Sequence, residues 1–400
     1  MAVTFKLHRP IANTITSCLH EILSLHKPAD KVLEKSFKTN SKLGSRDRGI
    51  ISNFVYDIIR NNILIQYCIG SDSYWHTLGA WILIKGNELP DWSEFRGLDK
   101  SVILALFEAA AGNPQLKFSI PVELDEIGHV SISEKWYTEM EAMHQPAPMV
   151  LRINILKSTR ADVEKFLKEN TIKYTLPPDS KNETIIIAQR INLFSSTIFQ
   201  DGLVEVQDYA SQQVAWFVDP KPGERIIDAC AGAGGKALHL ACIMKNKGRI
   251  LALDTEEYKL ETLKKRARRA SAEIIETRWI ENNKVIKRLD NQADKLLLDV
   301  PCTGSGVLKR NPDAKYRITR SYLNELIEKQ MNILTMYSKM VKPGGILVYS
   351  TCSIFREENQ NQIQSFLDKN SDFELVSAHY LWPSEFGFDG FYMAKLKKKE

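Results

Sequence analysis

Over residues 1–143, apolar side chains return at the three-to-four-residue spacing of a helix that buries one face. Ile50, Ile51, Phe54, Val55, Ile58 and Ile59 are the clearest instance, repeating at i, i+4 and i+8. Arg46, Arg48 and Arg60 punctuate the same stretch, on a face that suits either solvent or nucleic acid. No convincing β alternation interrupts the pattern, so an all-helical domain is expected here. HQPAPM, at 144–149, holds two prolines and predicts a linker. Beyond it, Leu151-Arg152-Ile153-Asn154-Ile155 alternates as a strand does, 158–167 reads as a helix capped by Ser or Thr, and 184–187 is a second strand. The spacing predicts a small α+β module over 146–205.

From about Gln207 the pattern becomes strand, helix, strand, helix. Short apolar runs at 225–228, 249–254, 295–299 and 345–350 predict buried strands, with helices over 236–244 and 256–273 between them. Such alternation predicts an α/β domain with a mainly parallel sheet over 206–400. Ligands of these sheets lie at the carboxyl ends of the strands.

Composition narrows the class. The chain has 400 residues, 44% hydrophobic and 26% charged, which fits two or three globular domains and excludes disorder. No apolar run approaches the ~18 residues that span a bilayer, and the N-terminal stretch lacks a secretory core. Six scattered cysteines without a C-x-x-C pair fit neither a disulfide framework nor a zinc site. A cytoplasmic protein without metal is expected. A net charge of +5 permits a nucleic-acid partner without demanding one.

Three strand ends carry candidate chemistry. The first is Asp228-Ala-Cys-Ala-Gly-Ala-Gly-Gly-Lys236, a glycine-rich turn opening a helix. Cys230 stands where a P-loop needs its first glycine, but Gly232-x-Gly234-x-x-Ala237 fits the looser dinucleotide fingerprint, with Asp254 20 residues past Gly234. A nicotinamide enzyme and an S-adenosylmethionine enzyme both suit this arrangement, since both place an acid on ribose hydroxyls. The second is Asp299-Val-Pro-Cys-Thr-Gly-Ser-Gly306 and the third Tyr349-Ser-Thr-Cys-Ser353, which bring Cys302 and Cys352 to one sheet edge. Two thiols, an acid and a methyl donor suit methylation of pyrimidine carbon 5. That carbon becomes nucleophilic only after a thiolate adds to carbon 6. An acid at ring nitrogen 3 stabilises the charge, and a base removes the carbon 5 proton.

Read together, these motifs resemble the Sun/RsmB family of RNA cytosine-5 methyltransferases. Cys230-Ala-Gly-Ala-Gly-Gly-Lys236 stands for the family's Cys-Ala-x-Pro-Gly-Gly-Lys, with Ala233 in place of the usual Pro. Asp299–Gly306 with Arg310-Asn-Pro-Asp313, Thr351-Cys352-Ser353 with Glu357-Glu358-Asn359, and 206–212 match further motifs in order. The resemblance implies a seven-stranded, Rossmann-like class I methyltransferase domain over 206–400. Ahead of it would stand a NusB-like helical RNA-binding domain over 1–143 and an RRM-like RNA-binding module over 146–205. It implies Cys352 as nucleophile, Cys302 in product release and Asp299 at nitrogen 3. S-adenosylmethionine would meet Cys230, Ala231, Gly232, Ala233, Gly234, Gly235, Lys236, Asp254 and Asp299. Asn282, ahead of Glu281, would read its adenine. Residue spacing alone leaves open which cysteine attacks, because DNA cytosine-5 enzymes use the Pro-Cys thiol.

Arg152, Lys309 and Arg310 are expected on RNA, with Lys315, Arg317 and Arg320 as further phosphate contacts. The basic helix carrying Lys259, Lys264, Lys265, Arg266, Arg268 and Arg269 reads equally well as a solvated face. The substrate implied is a single-stranded or flipped cytosine, most naturally in 16S ribosomal RNA, bound by a monomer. Two other readings fit part of the sequence. A nicotinamide-dependent oxidoreductase explains the glycine turn but leaves both thiols idle. A silent RNA-binding or ribosome assembly factor needs neither thiol.

Overall fold

The computed structural model describes residues 7–177, 183–188 and 191–400. Residues 1–6, part of the stretch read for a secretory signal, lie outside the described residues. The chain divides into two compact units: Met1–Gln145 with Val307–Tyr322, and Pro146–Gly306 with Leu323–Glu400.

The first unit is helical. Its longest helix, Ser45–Ile69, buries Ile51, Val55, Ile58 and Ile59, the apolar stripe that predicts it, and ends on Gly70 in the left-handed conformation. Arg60 is buried, which corrects its reading as a surface group: its guanidinium donates to the Lys309 carbonyl at 3.1 Å. Lys315 donates to the carbonyls of Arg60 (2.7 Å) and Phe118 (3.3 Å). Residues 307–322, expected with the catalytic domain, therefore pack among the helices. Among the described residues no helix is long and apolar enough to cross a membrane.

The second unit holds both sheets. The smaller is antiparallel, in the order β2-β3-β1-β4, with β1 Met149–Ile153, β2 Tyr174–Thr175, β3 Thr184–Ile187 and β4 Val204–Val206. Its helix, Arg160–Glu169, starts with a capping box in which Thr159 and Asp162 satisfy each other's backbone amides. The larger sheet has seven strands: β5 Arg225–Asp228, β6 Arg249–Asp254, β7 Ile275–Trp279, β8 Ala293–Asp299, β9 Val341–Thr351, β10 Phe373–Leu381 and β11 Phe391–Lys398. Their order is β10-β11-β9-β8-β5-β6-β7, parallel from β9 to β7, with β10 and β11 antiparallel. This is the expected seven-stranded, Rossmann-like class. β5 and β8 are central and covered on both faces, which is why they read as unbroken apolar runs. The strand order reverses at β5, where crossovers leave on opposite sides and open a crevice.

The lysine-rich end of the chain from Lys395 is part of β11, an inner strand that buries Met393, Ala394 and Leu396. Its lysines alternate with these residues, so net charge hid the period.

Candidate active site

Strand ends along the parallel edge carry Asp228 (β5), Asp254 (β6) and Asp299 (β8), and Cys352 follows β9 directly. Beside them opens a cleft of about 240 Å³, lined among others by Cys230, Gly232, Asp254, Glu256, Asp299 and Tyr337.

The glycine turn forms one wall. Gly232 and Gly234 have φ of +53° and +85°, conformations that side chains resist. A Cβ at 234 would lie 2.4 Å from Leu263, whereas nothing stands within 4 Å of one at 232. The turn is tied down at two points. Asp254 accepts the Gly232 amide on one oxygen and the Glu256 amide on the other, each at 2.8 Å. Arg266 donates to the Ala233 carbonyl at 2.8 Å and to Glu205 at 2.9 Å, and Arg269 also reaches Glu205. Burial would raise the Glu205 carboxyl, but Arg266 and then Arg269 hold it below the usual carboxylate range. Ala231 and Gly235 take backbone roles: the Ala231 amide donates to the Leu253 carbonyl, and Gly235 opens the helix Gly235–Ile243.

Asp228 lies beneath this turn, 1% exposed, and no well-formed hydrogen bond reaches its carboxylate oxygens. Burial, then the charge on Asp299, push its carboxyl up to about 7, and Lys236 with the Cys230 amide offsets this only in part.

The second wall carries the thiols. The sulfurs of Cys302 and Cys352 are 3.2 Å apart, both half-buried. The hydrogen bond to Cys352, burial, and the Cys352 and Glu358 charges raise the Cys302 thiol well above its ordinary range. Asp299 accepts from Lys236 at 2.5 Å and from the Ser350 hydroxyl at 2.9 Å. Burial acts to neutralise Lys236, but the Asp299 carboxylate outweighs it and holds the ammonium charged. Lys236, expected on the cofactor, therefore sits on the acid.

Other expected contacts are placed elsewhere. Asn282 is exposed and caps the helix Asn283–Lys287, accepting from the Lys284 amide at 3.0 Å, and neither it nor Glu281 is among the residues lining the cleft. Arg152 is 1% exposed, with its guanidinium on Gln207 (2.7 Å) and the Cys242 sulfur (3.4 Å). Its place inside the small sheet corrects the expectation of an RNA contact. Lys309 and Lys315 are buried as well, which removes them from a phosphate surface. Arg317 pairs with Asp313 at 2.6 Å, and Arg310 is half-buried. In the basic helix, Arg266 and Arg269 are structural ties, while Lys265 and Arg268 face solvent. The sequence reading missed Tyr337, Lys329 and Ile333 on the cleft; they come from a helix, Arg320–Tyr337, without a motif.

The profile of the family described as 16S rRNA methyltransferase RsmB/F matches residues 215–397. The Bacillus subtilis protein named probable ribosomal RNA small subunit methyltransferase B is 34% identical over 272 residues, 64% of this chain and 60% of that protein. The Vibrio vulnificus ribosomal RNA small subunit methyltransferase B is 31% identical over 329 residues, 79% of this chain and 77% of that protein. Among solved structures, that of PH0851 superposes with a TM-score of 0.81 at 26% identity, covering 98% of this chain and 100% of that one. A methyltransferase homolog protein from Pyrococcus horikoshii gives 0.63 at 30% identity, covering 72% and 98%. The matched segment spans 60–63% of the length of the Bacillus subtilis protein and of the curated relatives from Vibrio cholerae and Yersinia enterocolitica. The long match to the Vibrio protein, over a fold whose strand ends carry the family's motifs, means that this chain belongs to the ribosomal RNA small subunit methyltransferase B (RsmB/F) family.

Proposed function

We propose that this chain transfers a methyl group from S-adenosylmethionine to carbon 5 of a cytosine, in small-subunit ribosomal RNA as the names of its relatives suggest. The observation that carries the reading is the pair of thiols 3.2 Å apart, at the same sheet edge as the Asp254 cleft. The cleft suits the donor: Gly232 leaves open space, and Asp254 has lone pairs to spare for ribose hydroxyls. When bound, S-adenosylmethionine supplies the electrophilic methyl group that carbon 5 takes.

The chain's own residues do the rest. The Cys352 sulfur bonds to carbon 6, and the electron pair of the 5,6 double bond moves into the ring. Nitrogen 3 gains negative charge in this step, and the Lys236–Asp299 pair, held also by Ser350, neutralises it by passing a proton from the Lys236 ammonium through the Asp299 carboxyl to nitrogen 3. With carbon 5 methylated, its proton leaves with the help of Cys302. The electron pair re-forms the double bond and expels the Cys352 sulfur. A stacked base cannot reach both sulfurs, so the cytosine enters single-stranded or flipped. The helical unit and the small sheet are assigned to RNA binding, as a NusB-like domain and an RRM-like module.

The test is transfer of tritiated methyl from S-adenosylmethionine to a 16S transcript, with bisulfite sequencing of ribosomal RNA from a strain lacking the chain. One 5-methylcytosine should disappear from that strain. An unchanged methylation pattern overturns the assignment.

A further inference from the structure

Release of the methylated base needs Cys302 at a fixed place against Cys352, yet 302–306 has no helix or strand of its own. Several hydrogen bonds hold this loop. At its far end the Gly306 amide donates to the Cys352 carbonyl at 2.9 Å, the Gly306 carbonyl accepts from the Gly390 amide at 2.7 Å, and the Ser305 hydroxyl meets that of Ser353 at 2.8 Å and accepts from the Ile354 amide at 3.0 Å. Another grip lies beside the sulfur. Glu358, 0% exposed, accepts from the Thr303 amide at 2.8 Å and from the Thr303 hydroxyl at 2.5 Å. The Gln330 amide nitrogen donates to Glu358 at 2.9 Å and to the Pro301 carbonyl at 3.0 Å. Both peptide neighbours of Cys302 are therefore gripped by one Glu358–Gln330 pair. Glu358 is anchored in turn, since the Tyr349 hydroxyl donates to its carbonyl at 2.7 Å.

A buried carboxylate is costly unless donors satisfy it. Here donors from the Ser353 hydroxyl, the Thr303 hydroxyl and amide, and the Gln330 side chain do so. An apolar side chain would fill the same space without that penalty but could not hold the Thr303 amide. The arrangement thus sacrifices easy burial for a fixed loop.

We propose that Glu358 is a positioning residue for the release step, holding the Cys302 thiol against the Cys352 sulfur through Thr303 and Gln330. The proposal rests on the reading of Cys302 as the release residue. Glu358 itself touches neither base nor donor.

The experiment uses the full chain, tritiated S-adenosylmethionine and a 16S transcript, with covalent protein–RNA adduct read on a denaturing gel. Glu358→Gln keeps the shape but sets an amide against donors. It should bind the donor as the parent does, slow turnover on the order of 10²-fold, and accumulate adduct as Cys302→Ala does. A merely structural role would lower activity without trapping adduct. Thr303→Val keeps the Thr303 amide on Glu358 but removes its hydroxyl, which also meets the Ser305 amide and the Ser353 hydroxyl at 3.3–3.4 Å; it should trap adduct to a smaller extent and decides the matter if Glu358→Gln does not fold. Parent-like turnover, or lost turnover without adduct while Cys302→Ala traps it, overturns the proposal. No adduct from Cys302→Ala itself overturns the release role, and the proposal with it.

Discussion

Asp254→Asn tests the donor site with the least change of shape. The parent carboxylate uses both oxygens, one on the Gly232 amide and one on the Glu256 amide, each at 2.8 Å. Asparagine keeps one acceptor and turns an NH2 toward the other amide. One charge-assisted hydrogen bond is lost inside the protein, worth about 1.5–3 kcal/mol. The ribose hydroxyls lose the same charge, so binding should weaken by a similar amount. At 1.4 kcal/mol per factor of ten, the dissociation constant should rise roughly 10- to 150-fold. Calorimetry with S-adenosylmethionine and with S-adenosylhomocysteine measures that constant, and a urea titration measures the loss of the internal bond separately. Both should move. A dissociation constant within about twofold of the parent, with the urea midpoint lowered, would make Asp254 a clip for the glycine turn and refute its role on the ribose.

Cys352→Ala should abolish methyl transfer and leave donor binding intact, and Cys302→Ala should trap an adduct that Cys302→Ala with Cys352→Ala loses; an adduct that forms with Cys352→Ala and depends on Cys302 reverses the two roles. Asp228→Asn should stabilise the protein at pH 8 more than at pH 5. The folded state binds an extra proton between the ordinary carboxyl range and about 7, so the parent loses stability as pH rises across that window; an equal gain at both pH values in urea titrations would refute this. Gly306→Ala should cost at least about 1–3 kcal/mol and depress turnover further, because its Cβ would lie 2.3 Å from the Gly390 oxygen and 2.9 Å from the Cys352 oxygen; parent-like activity would show that this close approach does not position Cys352.

The strand-end acids were legible because a parallel strand buried on both faces is an apolar run closed by one polar residue. Arg225–Asp228 and the Leu296–Asp299 end of β8 both read that way. The same logic misplaced Arg152. A basic residue in an alternating strand suggested an RNA contact, but β1 is an inner strand, and Arg152 meets Gln207 and Cys242 instead of solvent. β7 was missed for the opposite reason: an edge strand, half exposed, it needs little apolar content, and Ile275–Trp279 reads as polar chain. Lys309 and Lys315 were misread because charge near a catalytic motif suggests phosphate, whereas their buried places are set by helices some 200 residues or more away in sequence. Glu358 carries no local sign of its partners, Thr303 and Gln330, which lie 55 and 28 residues away. A buried charge announces that partners exist without naming them.

The meeting of the two thiols follows from register more than from either motif. β8 and β9 are parallel, with Asp299 opposite Ser350, and that pairing also lets the Ser350 hydroxyl reach Asp299. Cys302 lies three residues beyond Asp299 and Cys352 two beyond Ser350, so both chains leave the sheet at nearly the same level. A slip of one residue would displace one thiol by about 3.3 Å and turn its strand's side chains to the other face. That shift is as large as the sulfur–sulfur separation itself. The register is held by the apolar pairs Leu296 with Leu347 and Leu297 with Val348, all buried. Cavity-forming changes at those pairs should therefore disturb the release step before they unfold the sheet, since the thiols tolerate less displacement than the core does.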